Sequence, residues 1–238
     1  SGANDYVVNP ADRIELRTRV FSLITLKQSV KSALDNELLF LQAQIRPHFL
    51  YNAFNTISTI ALSDGLKASE LIDDLAIYLR GCFGTNVNQG LVSIKTELGI
   101  VNSYAHIEQA RFGERLQFTS IINTKKDFSL PPLTIQPLVE NAIRHATLDS
   151  YQKIDVKLTI TENENCIQIT VQDNGKGIEP TKIADLLDEE KISHQGGIGL
   201  KNVNRRLRLH YGVPLDIQTI PEKGTRILIQ IPLTPDNK

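Results

Sequence analysis

The 238-residue sequence contains no methionine, and it opens on Ser1-Gly2-Ala3. A chain without its natural start, headed by residues of the kind a cloning step leaves behind, is expected to be a part of a longer protein. Only two cysteines occur, Cys82 and Cys166, far apart and with no metal-ligand spacing around them. That excludes a disulfide framework and a zinc finger; the two read as small buried residues in a reducing compartment. No apolar run approaches the length of a membrane-spanning helix, and no signal-peptide pattern is present. Neither charge sign dominates: 26 Lys and Arg stand against 27 Asp and Glu, a net charge of −1. Bulk binding to nucleic acid or to a membrane surface is therefore not expected. No internal repeat or low-complexity tract interrupts the chain. At 41% apolar and 22% charged, it has the composition and length of soluble globular protein, enough for one large or two modest domains.

Residues 12–46 follow a helical pattern. Leu16, Val20, Leu23, Lys27, Val30, Leu34, Glu37 and Leu41 fall at alternating spacings of four and three, a coiled-coil seam that a partner helix from a second copy would cover. The alternative is an amphipathic helix packed on its own domain. Pro47 then shifts the apolar stripe. Beyond it Leu50, Phe54, Ile57 and Ala61 form one line, predicted to face a core. His48, Asn52, Asn55 and Thr59 form a polar line roughly 150° away. His48 is thus expected as an exposed imidazole with an amide one turn below it. A turn at Ser63-Asp64-Gly65 leads to a second helix with Leu71, Leu75, Tyr78 and Cys82 on one face. A third runs from an N-cap at Ser93 to Arg111, with Ile94, Leu98, Val101 and Ala105 in line. Two copies of this antiparallel hairpin would make a four-helix bundle.

The pattern changes at Gly113. Residues 116–123 read as a strand, and Pro131-Pro132 is expected to start a helix running to Ala146. Residues 154–161 and 166–172 read as one hairpin, 215–220 and 225–231 as another, with a helix over 200–211 between them. The expected fold class is α+β, a helical hairpin followed by an α/β sandwich in which helices cover one face of an antiparallel or mixed sheet. The boundaries are 1–25 for the cloning remnant and signalling helix, 26–113 for the helical domain and 114–238 for the α/β domain.

Three stretches of the second half carry chemistry. On the helix ending at Ala146, Glu140, Asn141, Arg144 and His145 lie together on a polar face opposite Ile135, Leu138, Val139 and Ala142. Such a set can hold a hydrated divalent cation and phosphate oxygens, although a solvated helix face looks similar. Asp173-Asn174-Gly175-Lys176-Gly177-Ile178 follows a strand. An aspartate there can accept a hydrogen bond from an exocyclic amine, and the glycines allow close backbone approach; alone, it is also an ordinary turn. Gly196-Gly197-Ile198-Gly199-Leu200-Lys201-Asn202 opens a helix and can present backbone N–H groups to phosphate, yet it lacks the Lys-Ser/Thr of a P-loop.

In this order, with Pro47-His48-Phe49-Leu50-Tyr51-Asn52 ahead of them, these stretches resemble the sensor histidine kinases of two-component systems, and among them the LytS-like family. The resemblance covers about residues 38–233. It includes an N box at Leu138–His145, the two glycine boxes, and Gly224-Thr225 of a nucleotide-binding fold shared with Hsp90, gyrase B and MutL. It implies ATP and Mg²⁺, a homodimer, and a response-regulator partner of the LytTR type. It further implies a cytoplasmic fragment of a membrane sensor whose upstream region is absent from this chain. His48 would accept the γ-phosphoryl group and Asn141 would ligate Mg²⁺. Asp173 would bind the adenine amine, in a pocket shaped by Gly175 and Gly177 and supported through water by Thr225. Gly197, Gly199 and Leu200 would frame the phosphates beneath a lid over 179–195, and Arg144 or His145 would face the polyphosphate.

Three positions depart from the family. Phe49 stands where many histidine kinases carry an acid, which leaves Glu108 as a loose candidate for a base. Pro137 replaces an Asn or Glu, for which Glu140 would compensate. Ala146 replaces a glycine. Asn52 stands where an amide orients water for dephosphorylation of the partner. An Hsp90- or MutL-like ATPase would need no displayed imidazole, and a scaffold with a degenerate site would not need Asn141, Asp173 and both glycine boxes. His106, His194 and His210 read as structural or solvated, and no histidines have zinc spacing.

Overall fold

The computed structural model describes residues 17, 21–22, 47–84, 90–146, 153–179, 181, 183, 186, 198–220 and 224–233. The expected seam from Leu16 to Leu41, Gly196, Gly197 and most of the expected lid lie outside these. Residues from His48 onward belong to one compact unit.

Two helices, α1 (Pro47–Ala61) and α2 (Gly65–Gly84), form a hairpin. The buried line on α1 is Phe49, Ala53 and Ile57, whereas Phe54 is 56% exposed and Ala61 is exposed. Ile57 is buried as its spacing predicts, but Phe49 and Ala53 take the places expected for Leu50 and Phe54. Phe49 takes the core position because its ring packs 4.9 Å from those of both Tyr78 and Tyr104, and it carries more apolar area than Leu50. On α2, Leu71, Leu75, Tyr78 and Cys82 are buried, as their spacing predicts.

A two-residue strand, β1 (Val92–Ser93), leads into α3 (Ile94–Phe112). The Ser93 side chain accepts the Thr96 N–H at 3.3 Å, the predicted cap. Helix α3 lies along α2 so closely that a methyl group on Gly81 would stand 2.3 Å from Ile100 Cγ1. His106 on α3 meets Asp74 on α2 at 2.5 Å. The other side of α3 belongs to the sheet domain. β1 pairs with β3 (Ser129–Leu130), and Glu97, with no exposed surface, accepts the backbone N–H groups of Leu133, Thr134 and Ile135.

These contacts explain why the next helix, α4 (Gln136–Ala146), starts later than the Pro131-Pro132 pair predicts. Leu133 adopts a positive φ of 54°, which no helix tolerates in its first turn. Glu97 takes up the amide groups that would have begun the helix. Arg206 completes the knot by donating to the Leu133 carbonyl at 2.8 Å. Burial raises the Glu97 carboxyl above the usual range, against the three N–H bonds and the Arg206 charge, which lower it.

The sheet runs β2 (Leu116–Asn123), β4 (Ile154–Glu162), β5 (Cys166–Asp173), β7 (Gly224–Pro232), β6 (Asp216–Ile220). β2 and β4 are parallel and the other neighbours antiparallel, so the sheet is mixed. Ile154, Val156, Leu158 and Ile160 alternate with exposed Asp155 and Lys157, and Ile227, Ile229 and Ile231 do so with Arg226 and Gln230. One sheet face is therefore apolar. Helix α4 packs across β4, β5 and β7, and α5 (Ile198–Tyr211) beside it buries Leu200, Val203 and Leu207.

Truncating Glu97 to Ala strands three buried amide groups and leaves Arg206 without its nearby opposite charge. The expected cost is about 3 kcal/mol, read as a lower urea midpoint with an unchanged slope. A loss under about 1 kcal/mol would mean that those amides find other partners.

Candidate nucleotide and phosphoacceptor site

His48 is exposed near the start of α1, held there because Phe49 behind it is pinned between two tyrosines. The Asn52 amide nitrogen lies 3.0 Å from His48 Nδ1 and 3.5 Å from Nε2. Sequence spacing anticipated both the exposure and the amide below the ring. Glu108 is buried and paired with Arg111 at 3.3 Å, and burial raises its carboxyl. The structure thus commits that carboxylate to Arg111 on its own helix.

Tyr78 stands between this region and α4. Its hydroxyl receives a hydrogen bond from Gln136 Nε2 at 3.4 Å, and Gln136 also donates to Glu140 Oε2 at 2.7 Å. Burial raises the Tyr78 phenol strongly and pushes the Cys82 thiol up to about 12, with Glu140 adding to both. Glu140, 8% exposed, therefore points toward the helical hairpin. This corrects its expected place on one polar face with Asn141, Arg144 and His145. Residues one apart on a helix diverge by about 100°, and Gln136, one turn earlier, draws Glu140 inward.

The other three do gather. Arg144 Nη2 donates to Asn141 Oδ1 at 2.9 Å and lies 3.0 Å from His145 Nε2. Gly199, in the first turn of α5, stands over the N-terminal half of α4, where an added methyl would lie 3.6 Å from Pro137 Cβ and 3.9 Å from Asn141 Nδ2. Leu200 beside it is buried and packs rather than facing solvent. The C-terminal end of α4, which carries Arg144 and His145, meets the first glycine box. A methyl on Gly175 would be 3.1 Å from Ala146 Cα and 3.2 Å from its N. The two glycine boxes thus touch α4 nine residues apart, about 14 Å along its axis.

Asp173 ends β5, 7% exposed. Its Oδ1 accepts N–H groups from Gly175 at 2.8 Å and Thr225 at 3.3 Å. Burial nevertheless raises its carboxyl, the two N–H bonds acting the other way. Thr225 supports the aspartate directly through its backbone. Gly177 has a φ of 72°, and Gly224 a φ of 102° with its α-carbon against the Asp173 backbone. Sequence reasoning singled out Asp173 and its glycines but passed over two residues that fix them. Asn174 bridges the Lys153 carbonyl (2.7 Å) and the Asp155 N–H (2.8 Å), stapling the turn to β4. Thr219 Oγ1 accepts the Ile178 N–H at 2.8 Å and donates to the Gly224 carbonyl at 3.2 Å. Asn in an Asp-Asn-Gly run was a signal for the first; nothing local marked the second.

Taken together, α4 forms one wall of a site: the Asp173 turn meets its C-terminal end, where Arg144 and His145 also lie, and Gly199 meets its N-terminal half beside Asn141. A buried carboxylate acceptor toward one end, and an amide beside a glycine-opened helix start toward the other, suit a ligand with a hydrogen-bonding base and a polyanionic tail. Asn141 offers a hard amide oxygen, and no cluster of three metal-ligating side chains occurs among the described residues. This donor set fits a cation carried mainly by phosphate and water, as Mg²⁺ commonly is.

Residues 36–116 match a family model described as histidine kinase, and residues 127–235 one described as histidine kinase-, DNA gyrase B- and HSP90-like ATPase. The protein YwpD of Bacillus subtilis is 40% identical over 234 residues, 98% of this chain and 83% of its own length. Sensor histidine kinase YesM of Bacillus subtilis is 38% identical, covering 83% of this chain and 33% of YesM. Sensor protein LytS of Bacillus anthracis is 37% identical, covering 83% and 34%. The chain thus spans about a third of the length of the latter two.

A methyl group on Gly224 would lie 2.0 Å from the Asp173 carbonyl oxygen. Gly224→Ala is expected to cost about 3 kcal/mol and to shift Asp173, read as a lower melting temperature and weakened nucleotide binding. Wild-type values for both would show that β7 can draw away from the end of β5 without loss.

Proposed function

The chain belongs to the sensor histidine kinases, and from that premise we propose that His48 is the residue its ATP-binding half phosphorylates. The observation that carries this is an exposed imidazole, backed by a buried aromatic anchor, in one compact unit with the α4 site. ATP enters with its adenine amine donating to Asp173 and its phosphates near Asn141, Gly199, Arg144 and His145. Gly197 belongs to the same phosphate-binding segment. Asn141, once released from its hydrogen bond with Arg144, would hold Mg²⁺, which would supply neutralisation of phosphate charge. Arg144 and the backbone N–H groups of α5 then orient the γ-phosphoryl group. His48 must come into line with it, so the reaction depends on positioning.

Tyr51 and Phe54 on α1, Leu62 in the turn after it, and Leu66, Ile72 and Phe83 on α2 are each more than half exposed. A second copy covering them would give the dimeric bundle. The phosphoryl group passes from His48 to an aspartate of a response regulator, by resemblance one of the LytTR type. Among the described residues no helix is long and apolar enough to cross a membrane. We assign this part to the cytoplasmic side of a membrane-bound sensor. Asn52 orients water for dephosphorylation of the regulator, a role that full phosphatase activity in Asn52→Ala would remove.

Incubation with γ-labelled ATP and Mg²⁺ should give acid-labile label that His48→Gln abolishes. ATP hydrolysis unaffected by that substitution would favour a plain ATPase. Tight ATP binding without label would favour a scaffold. The raised carboxyl of Asp173 takes up its proton at a higher pH than an ordinary aspartate, near 3.9. A protonated acid competes with the adenine amine as donor. ATP affinity should therefore fall as pH drops through a window above 3.9 and be present above it. In Asp173→Asn it should be at least about tenfold weaker and flat across that window.

A further inference from the structure

We propose that Asn52 is a positioning residue for the forward transfer to His48, serving the reactant imidazole through its amide oxygen and the phosphorylated imidazole through its amide nitrogen. The inference rests on the reading of His48 as phosphoacceptor and adds a kinase role to a residue otherwise assigned to dephosphorylation.

For Nε2 to attack phosphorus it must carry a lone pair. A neutral imidazole has one N–H, so the proton must then sit on Nδ1. Something has to accept that Nδ1–H and hold the ring, or the reactive tautomer is neither selected nor aimed. A carboxylate on the next residue could do this, but position 49 is a phenylalanine buried between Tyr78 and Tyr104. Glu108 is buried and bound to Arg111. Among the described residues, the side chain within hydrogen-bond distance of the ring is Asn52.

An amide nitrogen 3.0 Å from Nδ1 and 3.5 Å from Nε2 stands over the ring edge rather than in line with either lone pair. Turning the imidazole about Cβ–Cγ until Nδ1 faces the amide would leave Nε2 facing outward. Amide nitrogen and oxygen are exchanged by a half turn of the group, and either can face the ring. With the carbonyl toward Nδ1–H, the Nε2 lone pair is aimed at solvent and incoming phosphate. That lone pair forms the N–P bond while the bond from the γ-phosphorus to the β,γ-bridging oxygen breaks, and ADP leaves with the electron pair. The Nδ1 proton passes to water, which reaches His48 because its ring is exposed. Neutral phosphohistidine then carries a bare lone pair on Nδ1, and the amide turns its N–H toward it. A carboxylate can make only the first of these two bonds, and an alanine neither.

The test uses the full chain with Mg²⁺ and ATP. Asn52→Ala is expected to lower the autophosphorylation rate at saturating ATP by about tenfold or more, with KM for ATP unchanged. Asn52→Asp keeps the acceptor and should recover the rate to within about threefold of wild type. It lacks the donor and should leave less phosphohistidine at a fixed ATP:ADP ratio. In ¹⁵N spectra of the imidazole, His48 should hold its proton on Nδ1 in the wild type and lose that preference in Asn52→Ala. Wild-type rate in Asn52→Ala, or an identical tautomer in both, overturns the proposal. So does a slow Asn52→Asp that still binds ATP. Should Asn52→Ala fail to fold, the rate and phosphohistidine level of Asn52→Asp decide alone. Label retained in His48→Gln would instead overturn the phosphoacceptor reading, a different outcome.

Discussion

The buried carboxylate of Glu97 is the interaction on which the remaining architecture rests. It gathers three successive amide groups from the segment before α4 and stands close to the charge of Arg206. Because Glu97 sits on α3, Arg206 on α5 and the amides directly before α4, one side chain fixes three helices against one another. The arrangement tolerates a leucine with positive φ and a double proline, features that would otherwise leave the segment unstructured. Such a buried charge is costly to desolvate, and its bonds only offset that cost. What the cluster supplies is register: α4 can start at one residue, in one orientation.

That orientation sets the site. Glycines at 175 and 199 let distant loops reach α4 at its two ends, and their small size matters differently at each. At Gly175 a side chain would collide with helix backbone; at Gly199 there is ordinary room beside Asn141. Asp173 is likewise a product of its surroundings. Two backbone N–H groups, one from its own turn and one from β7, turn an aspartate at a strand end into a fixed acceptor. Ligand chemistry here is therefore distributed over strands that meet only in the folded sheet.

Much of this was legible in the residues. Alternation in β4, β5 and β7, the Ser93 cap, the buried face of α2 and the exposed His48 all follow from local pattern. The misreadings have a common origin in long-range contacts. Phe49 rather than Leu50 or Phe54 enters the core because two tyrosines from other helices await it. Glu140 turns inward toward Tyr78, a neighbour on another helix that no spacing rule supplies. The helix start moved from Pro131 to Gln136 because Glu97, over thirty residues upstream, had taken the amides. Asn174 and Thr219 went unassigned because their partners lie across the sheet. Local periodicity carries no information about such partners.

One contact on the helical side has a mechanical consequence. Ile100 occupies the notch left at Gly81, as a tooth sits in a gear. Advancing α2 along its axis by a single residue, about 1.5 Å, would press neighbouring side chains into that tooth. The helix cannot creep gradually past its neighbour; it must carry α3 along or lift clear of it. Since α3 also bears Glu97, an axial displacement of α2 that carries α3 along reaches the start of α4 as a discrete step.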